Sequence, residues 1–174
     1  MNTVMNPINR RILIIDDNRA IHEDFGKILG DSSGADDSAL KALEDELFGD
    51  TAPAPAKEQF ELSSAYQGRD ALELVESAEN DGQPFAMAFV DVRMPPGWDG
   101  VETIDRIWQV SPNIQTVICT AYSDYSREQI LERLGEHDRL LILRKPFDPS
   151  EVQQLARALT EKWSKLQEDA EQAA

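Results

Sequence analysis

Short β-branched, apolar runs alternate with amphipathic stretches along this chain. The runs Arg11 to Ile15, Phe60 to Ala65, Ala86 to Val90, Thr116 to Cys119 and Leu140 to Leu143 predict strands. Between and after them, apolar positions recur at helical spacing over Ala20 to Leu29, Arg69 to Glu79, Val101 to Val110, Ser126 to Leu134 and Pro149 to about Leu166. Regular alternation of strand and helix is the pattern of an α/β protein, in which a parallel sheet is covered by helices on both faces. The last helix has the clearest start. Asp148 can cap it, Pro149 suits its first turn, and Glu151 falls at capping-box spacing from Asp148.

One segment breaks the alternation. Arg11 to Ala65 is much longer than the roughly 30 residues a βαβ unit needs, and the excess lies in residues 30–58. That stretch opens with Gly, Ser and Asp, holds an amphipathic pattern from Ser38 to Phe48 with Leu40, Leu43, Leu47 and Phe48 on one face, and closes on an Ala-Pro repeat. It is expected to be an insertion between the first helix and the second strand whose apolar face packs on its own domain or on a partner, its own domain being favoured.

Composition narrows the setting. Of 174 residues, 41% are hydrophobic, enough for an ordinary single core, and the formal net charge is −16. A surface this acidic repels phosphate backbones and anionic lipid, so it disfavours nucleic acid and membrane and favours cations or basic partners. Cys119 is the only cysteine, which excludes an intramolecular disulfide and a cysteine metal cluster and fits a reducing, cytoplasmic setting. The polar start, Met1 to Arg10, precedes an apolar run of only five residues, too short for a signal-peptide core or a membrane span.

Chemistry is expected where the strands end. In open parallel sheets, ligands bind beyond the carboxyl ends of the strands. Here strand one is followed by Asp16 and Asp17, strand three by Asp91, strand four by Thr120, and strand five by Lys145 and Pro146. Three carboxylates brought to one edge would raise one another's pKa unless a cation neutralised them. Oxygen ligands without His or Cys suit Mg²⁺, whose coordination is commonly completed by water and phosphate oxygens.

In this order, Asp16-Asp17, Asp91, Thr120-Ala121 and Lys145-Pro146-Phe147 resemble the receiver domain of two-component response regulators, over about Arg11 to Trp163. The resemblance implies a flavodoxin-like, three-layer fold with strand order 2-1-3-4-5. It implies that Asp91 is the phosphoacceptor, taking a phosphoryl group from a histidine kinase or phosphotransfer protein. It further implies Mg²⁺ held by Asp17 and Asp91, with Asp16 acting through water or orienting the site and the backbone carbonyl of Arg93 as a further ligand. Lys145 and Thr120 would each contact a phosphoryl oxygen, and their inward movement would alter the surface around strands four and five. The Lys145–Pro146 bond is expected to be cis.

Three features depart from the usual pattern. The loop Met94-Pro95-Pro96-Gly97-Trp98-Asp99-Gly100 is one residue longer than usual. Ile142 stands where an aromatic switch residue often stands, with Tyr122 a substitute. Arg93 and Tyr122 flank the phosphoryl position and would influence water access to it. No constellation of ligands claims His22 or His137, so both are read as surface or packing residues. Trp98 is read as loop packing and Cys119 as a small core residue.

A rival function is a Mg²⁺-dependent phosphotransferase or phosphatase working on an exogenous substrate through an aspartyl phosphate. Against it, Asp91-Val92-Arg93 has no second acid two residues after the first. A nucleotide enzyme is weaker still, since no Gly-x-x-x-x-Gly-Lys loop occurs. The leading expectation is a signalling switch and not a turnover enzyme, built of a tail at 1–10, a receiver at 11–163 and a helical extension at 164–174. Val152, Leu155, Leu159, Trp163, Leu166 and Ala170 form a heptad-like stripe whose far end overhangs the sheet. The expectation is therefore a connector to an output module, with a weak parallel homodimer, in a larger hybrid signalling protein.

Overall fold

The computed structural model describes residues 8–29, 60–121, 126–135 and 139–173. Five strands, β1 (Arg11–Ile15), β2 (Glu61–Ala65), β3 (Met87–Asp91), β4 (Gln115–Thr120) and β5 (Leu140–Arg144), form one parallel sheet in the order β2-β1-β3-β4-β5. The helices are α1 (Arg19–Leu29), α2 (Gly68–Asn80), α3 (Gly100–Val110), α4 (Arg127–Leu134) and α5 (Pro149–Ala173). This is the expected flavodoxin-like, three-layer arrangement, with element ends within one or two residues of the sequence reading except at the end of α5. The insertion at 30–58, including its amphipathic pattern from Ser38 to Phe48, lies outside the described residues, as do Tyr122 and His137.

Two apolar cores flank the sheet, and each interior strand feeds both by alternation. Leu13 and Ile15 of β1 join Ala88 and Val90 of β3 and Ile118 of β4, beneath Val75, Ile104, Ile107 and Ile130 from α2, α3 and α4. Ile12, Ile14, Met87, Phe89, Val117 and Cys119 point the other way, beneath Phe25 of α1 and Val152, Ala156 and Leu159 of α5. With both faces covered, β1 and β3 contain no polar alternation, which is why they read as continuous apolar runs. The edge strands differ. Edge strand β2 reads Glu-Leu-Ser-Ser-Ala, and Leu141 of the opposite edge is 40% exposed.

Local chemistry fixes the helix starts. Asp99 caps α3 by accepting from the Glu102 N–H at 2.8 Å. Ser126 and Gln129 form a reciprocal capping box on α4. The Asp148 carboxylate accepts from both the N–H and the hydroxyl of Ser150 at the start of α5, at 2.9 and 2.7 Å. The N-terminal approach to β1 is tied to the middle of α5: Asn9 N–H donates to Ser164 Oγ at 2.9 Å and Arg10 donates to Thr160 Oγ1 at 2.6 Å. Beyond this tie, Leu166 is 39% exposed and Ala170 is exposed.

Candidate functional site

Asp16, Asp17, Asp91, Thr120 and Lys145 all lie at the carboxyl edge of the sheet. Parallel register levels the ends: Ile15 of β1 pairs with Val90 of β3, Asp91 with Cys119 of β4, and Thr120 with Arg144 of β5. Asp16, Asp91 and Thr120 each stand at the end of a central strand, and Lys145 follows β5 directly. Asp16 and Asp91 are buried, at 2% and 7% exposure, whereas Asp17 is open to solvent. One carboxylate oxygen from each of Asp16, Asp17 and Asp91 lies within 4.8 Å of the others. Three oxygens so close, two of them buried, fit a small divalent cation that keeps part of its hydration on the exposed side.

Lys145 is the cation that faces this cluster. Its Nζ donates to Asp16 Oδ2 at 3.3 Å and to Asp91 Oδ1 at 3.2 Å. One ammonium against three carboxylates leaves the site under-neutralised, and the titration behaviour follows. Burial first, and the charge of Asp16 second, push the Asp91 carboxyl up to about 6 against the pull of Lys145. Burial and Asp16 likewise raise Asp17. For Lys145 burial alone would lower the pKa, but the charges of Asp16 and Asp91 outweigh it and the net displacement is upward. The ammonium is therefore fully charged at neutral pH.

Backbone contacts hold these side chains in place. The Asp16 N–H donates to Ala65 O of β2 at 3.1 Å, and Asp16 Oδ1 accepts from Asn18 N–H at 2.9 Å. The Lys145 N–H donates to Thr120 O at 2.9 Å, so the ends of β4 and β5 are tied together. Thr120 Oγ1 donates to Ala121 O at 3.1 Å. The Lys145–Pro146 bond is cis, as is Pro95–Pro96. The loop that follows Asp91 folds back so that α3 starts against the end of β3. Gly100 N–H donates to Val92 O at 2.9 Å, and a Cβ on Gly100 would overlap the Asp91 carbonyl oxygen and crowd Val92 Cα at 2.9 Å. Only glycine permits so close an approach.

The longer loop between β3 and α3 is pinned by Trp98. Its ring lies beneath the guanidinium groups of Arg106, at 4.2 Å, and Arg69, at 5.7 Å, and a Cβ on Gly68 would stand 3.2 Å from it. Asp99, next in sequence, uses its second oxygen to accept from Arg133 of α4 at 2.9 Å. Arg93 is exposed in the same loop, and Ile142 packs half-buried against the core on the α4 side. Cys119 is buried behind the site, and burial pushes its thiol pKa far up, as befits a core residue. Sequence reading gave His22 no role at the site, yet its Nε2 lies 2.7 Å from Asp16 O.

Comparison with known proteins agrees with the geometry. Residues 53–157 match the response regulator receiver domain family. Sporulation initiation phosphotransferase F of Bacillus subtilis is 28% identical over 145 residues, which cover 83% of this chain and 89% of that protein. Among solved structures, the signal receiver domain of an HD domain-containing protein from Pseudomonas fluorescens superposes with a TM-score of 0.65 at 16% identity, covering 97% of this chain and 98% of that one. A CheY-like receiver domain protein from Methanospirillum hungatei gives a TM-score of 0.59 at 20% identity, covering 90% and 97%. The family match starts after β1, and it is the fold that brings Asp16 and Asp17 to Asp91. The chain belongs to the response regulator receiver domain family, the phosphorylation-controlled switches of two-component signalling.

Proposed function

We propose that Asp91 is the phosphoacceptor of this switch, with Lys145 and Thr120 as its phosphoryl contacts and Mg²⁺ held by Asp16, Asp17, Asp91 and the backbone carbonyl of Arg93. One observation carries the reading: Asp91 is the buried carboxylate at the end of the central strand β3, facing a lysine and grouped with two further carboxylates. With its pKa at about 6, Asp91 is ionised at neutral pH and needs no general base. An Asp91 carboxylate oxygen attacks the phosphorus of a partner's phosphohistidine. An O–P bond forms, the P–N bond breaks, and the imidazole leaves with the bonding electron pair. Bound Mg²⁺ supplies charge neutralisation for the transferred group.

The chain's own residues then respond. Lys145 exchanges its Asp91 oxygen for a phosphoryl oxygen, and the Thr120 hydroxyl turns from Ala121 O to another. The donor is a histidine kinase or phosphotransfer protein, as the family implies. Output is read from the surface around β4, β5 and α4, and through the extended α5, whose exposed far end would connect to an output module or support a weak dimer. The receiver then comprises residues 11–163, with 164–174 as its helical extension, and works in the cytoplasm.

Intact-mass measurement after acetyl phosphate or beryllofluoride treatment tests the assignment. One adduct is expected, only with Mg²⁺ present, absent in Asp91→Asn and weakened in Asp17→Asn. An undiminished adduct in Asp91→Asn would place the acceptor elsewhere. Multiple turnovers on small phosphorylated metabolites would favour a Mg²⁺-dependent aspartyl-phosphate enzyme over a switch.

A further inference from the structure

We infer that His22 is a positioning residue for the acidic site: through the Asp16 carbonyl it sets the orientation of the Asp16–Asp17 peptide, and thereby of the Asp17 carboxylate. The inference rests on reading Asp16, Asp17 and Asp91 as the cation site.

Both ring nitrogens of His22 are engaged. Nε2 lies 2.7 Å from Asp16 O and Nδ1 lies 2.9 Å from Ser64 Oγ. A carbonyl oxygen only accepts, so Nε2 carries a hydrogen; in the neutral ring Nδ1 then accepts from the Ser64 hydroxyl. The ring also packs on Tyr66, with centroids 4.5 Å apart, and Tyr66 lies under the Arg19 guanidinium at 5.0 Å. An imidazole gripped at both nitrogens and on one face has little freedom to rotate. Its anchor is equally fixed, because Ser64 belongs to β2 and is paired in register with Ile14 of β1.

The contact falls at the residue where orientation matters. Asp16 is held at four points: its N–H by Ala65 O, its Oδ1 by Asn18 N–H, its carbonyl by His22, and its Oδ2 by Lys145 Nζ. The third defines the plane of the peptide leading into Asp17, the exposed acid of the cluster. Turning that plane swings the Asp17 carboxylate relative to the buried oxygens of Asp16 and Asp91. Metal sites tolerate misplacement of only about 0.5 Å or 10–20°, and Mg²⁺ demands near-ideal geometry.

Two isosteric substitutions separate positioning from a structural clamp. Gln places its amide nitrogen near the position of Nε2 and Asn places its own near Nδ1. His22→Gln thus keeps a donor for Asp16 O and loses the Ser64 contact, whereas His22→Asn does the reverse. Mg²⁺ titration by calorimetry should show affinity within about threefold of wild type for His22→Gln and a loss of roughly tenfold for His22→Asn and His22→Ala, the usual size for an outer-shell partner of a metal ligand. In the metal-free proteins, amide exchange at Asn18 should accelerate in the Asn and Ala variants and not in the Gln variant. Urea denaturation confirms that each is folded. Equal affinities for His22→Gln and His22→Asn, with Asp17→Asn still weakening Mg²⁺, would overturn the role of His22 alone. An Asp17→Asn variant with unchanged affinity would overturn the cation site itself.

Discussion

Replacing Asp91 by Asn should stabilise the metal-free protein. The carboxyl titrates at about 6 in the folded chain against 3.8 ordinarily, because burial and Asp16 oppose its ionisation more than Lys145 favours it. The folded state therefore binds a proton that the unfolded state has already released between those two values. Stability falls as pH rises through that window, and the full cost is present above about pH 6. At about 1.4 kcal/mol per pH unit, the interval corresponds to an upper bound of roughly 3 kcal/mol. Asp91→Asn removes this charge yet leaves an acceptor oxygen for Lys145, which also keeps Asp16 at 3.3 Å. Urea denaturation in a chelator at pH 8 should show the variant more stable by about 1–3 kcal/mol. The difference should shrink as pH falls from 6 towards 4 and close below 3.8, where the wild-type side chain is protonated in both states. Saturating Mg²⁺ should narrow it at pH 8, since a ligand at 100 times its Kd adds about 2.7 kcal/mol to the protein that binds it. A variant less stable than wild type at pH 8 in chelator, or a gap constant from pH 4 to 8, would refute the electrostatic account.

Gly100→Ala should destabilise by about 2 kcal/mol or more and slow beryllofluoride adduct formation, because the added carbon meets the backbone of Asp91 and Val92; a normal melting temperature would show that α3 can retreat without cost. Asp99→Ala should cost about 1 kcal/mol more than Arg133→Ala in denaturation, since Asp99 is both the α3 cap and the α4 partner while the half-exposed ion pair alone is worth less than about 1 kcal/mol. If α5 mediates a dimer, Leu166→Glu should leave folding intact, its side chain being largely exposed, and abolish any dimer that sedimentation detects with beryllofluoride; a monomer in wild type under every condition removes the dimer.

How much of this was legible in the chain depends on what kind of information each feature needs. The interior strands were readable because β1 and β3 bury both faces and are apolar at almost every position, and β4 carries the apolar run Val117-Ile118-Cys119. The site was readable because parallel strands deliver their carboxyl ends to one edge, so Asp16, Asp91, Thr120 and Lys145 had to converge once the strands were placed. The extent of α5 was harder, since beyond Leu166 only Ala170 continues the stripe while Glu168 and Asp169 oppose the helix dipole, yet the helix runs to Ala173. His22 was unreadable for a different reason. Its partners are a backbone carbonyl and a serine 42 residues away, and neither leaves a mark in spacing or composition. Arg133 and Asp99 are likewise joined across 34 residues by geometry alone.

The same crowding of carboxylates that raises the Asp91 pKa bears on how the proposed switch would respond. If Asp91 is the phosphoacceptor proposed above, a phosphoryl group there would add negative charge where Lys145 already serves buried Asp16 and Asp91, and would compete for that ammonium. Two connections lead outward from that point. Lys145 and Thr120 share a backbone hydrogen bond, so a shift of either draws the ends of β4 and β5 together, and Ile142 sits two residues before the end of β5 against the α4-side core. The loop following Asp91 ends at Asp99, whose second oxygen holds Arg133 near the end of α4. On the proposed reading, the first route would act through the end of β5, where Ile142 packs against the core. The second would reach α4 through the Asp99–Arg133 ion pair. Both routes lead to the side of the sheet formed by β4, β5 and α4, the surface from which the proposed switch at Asp91 would be read.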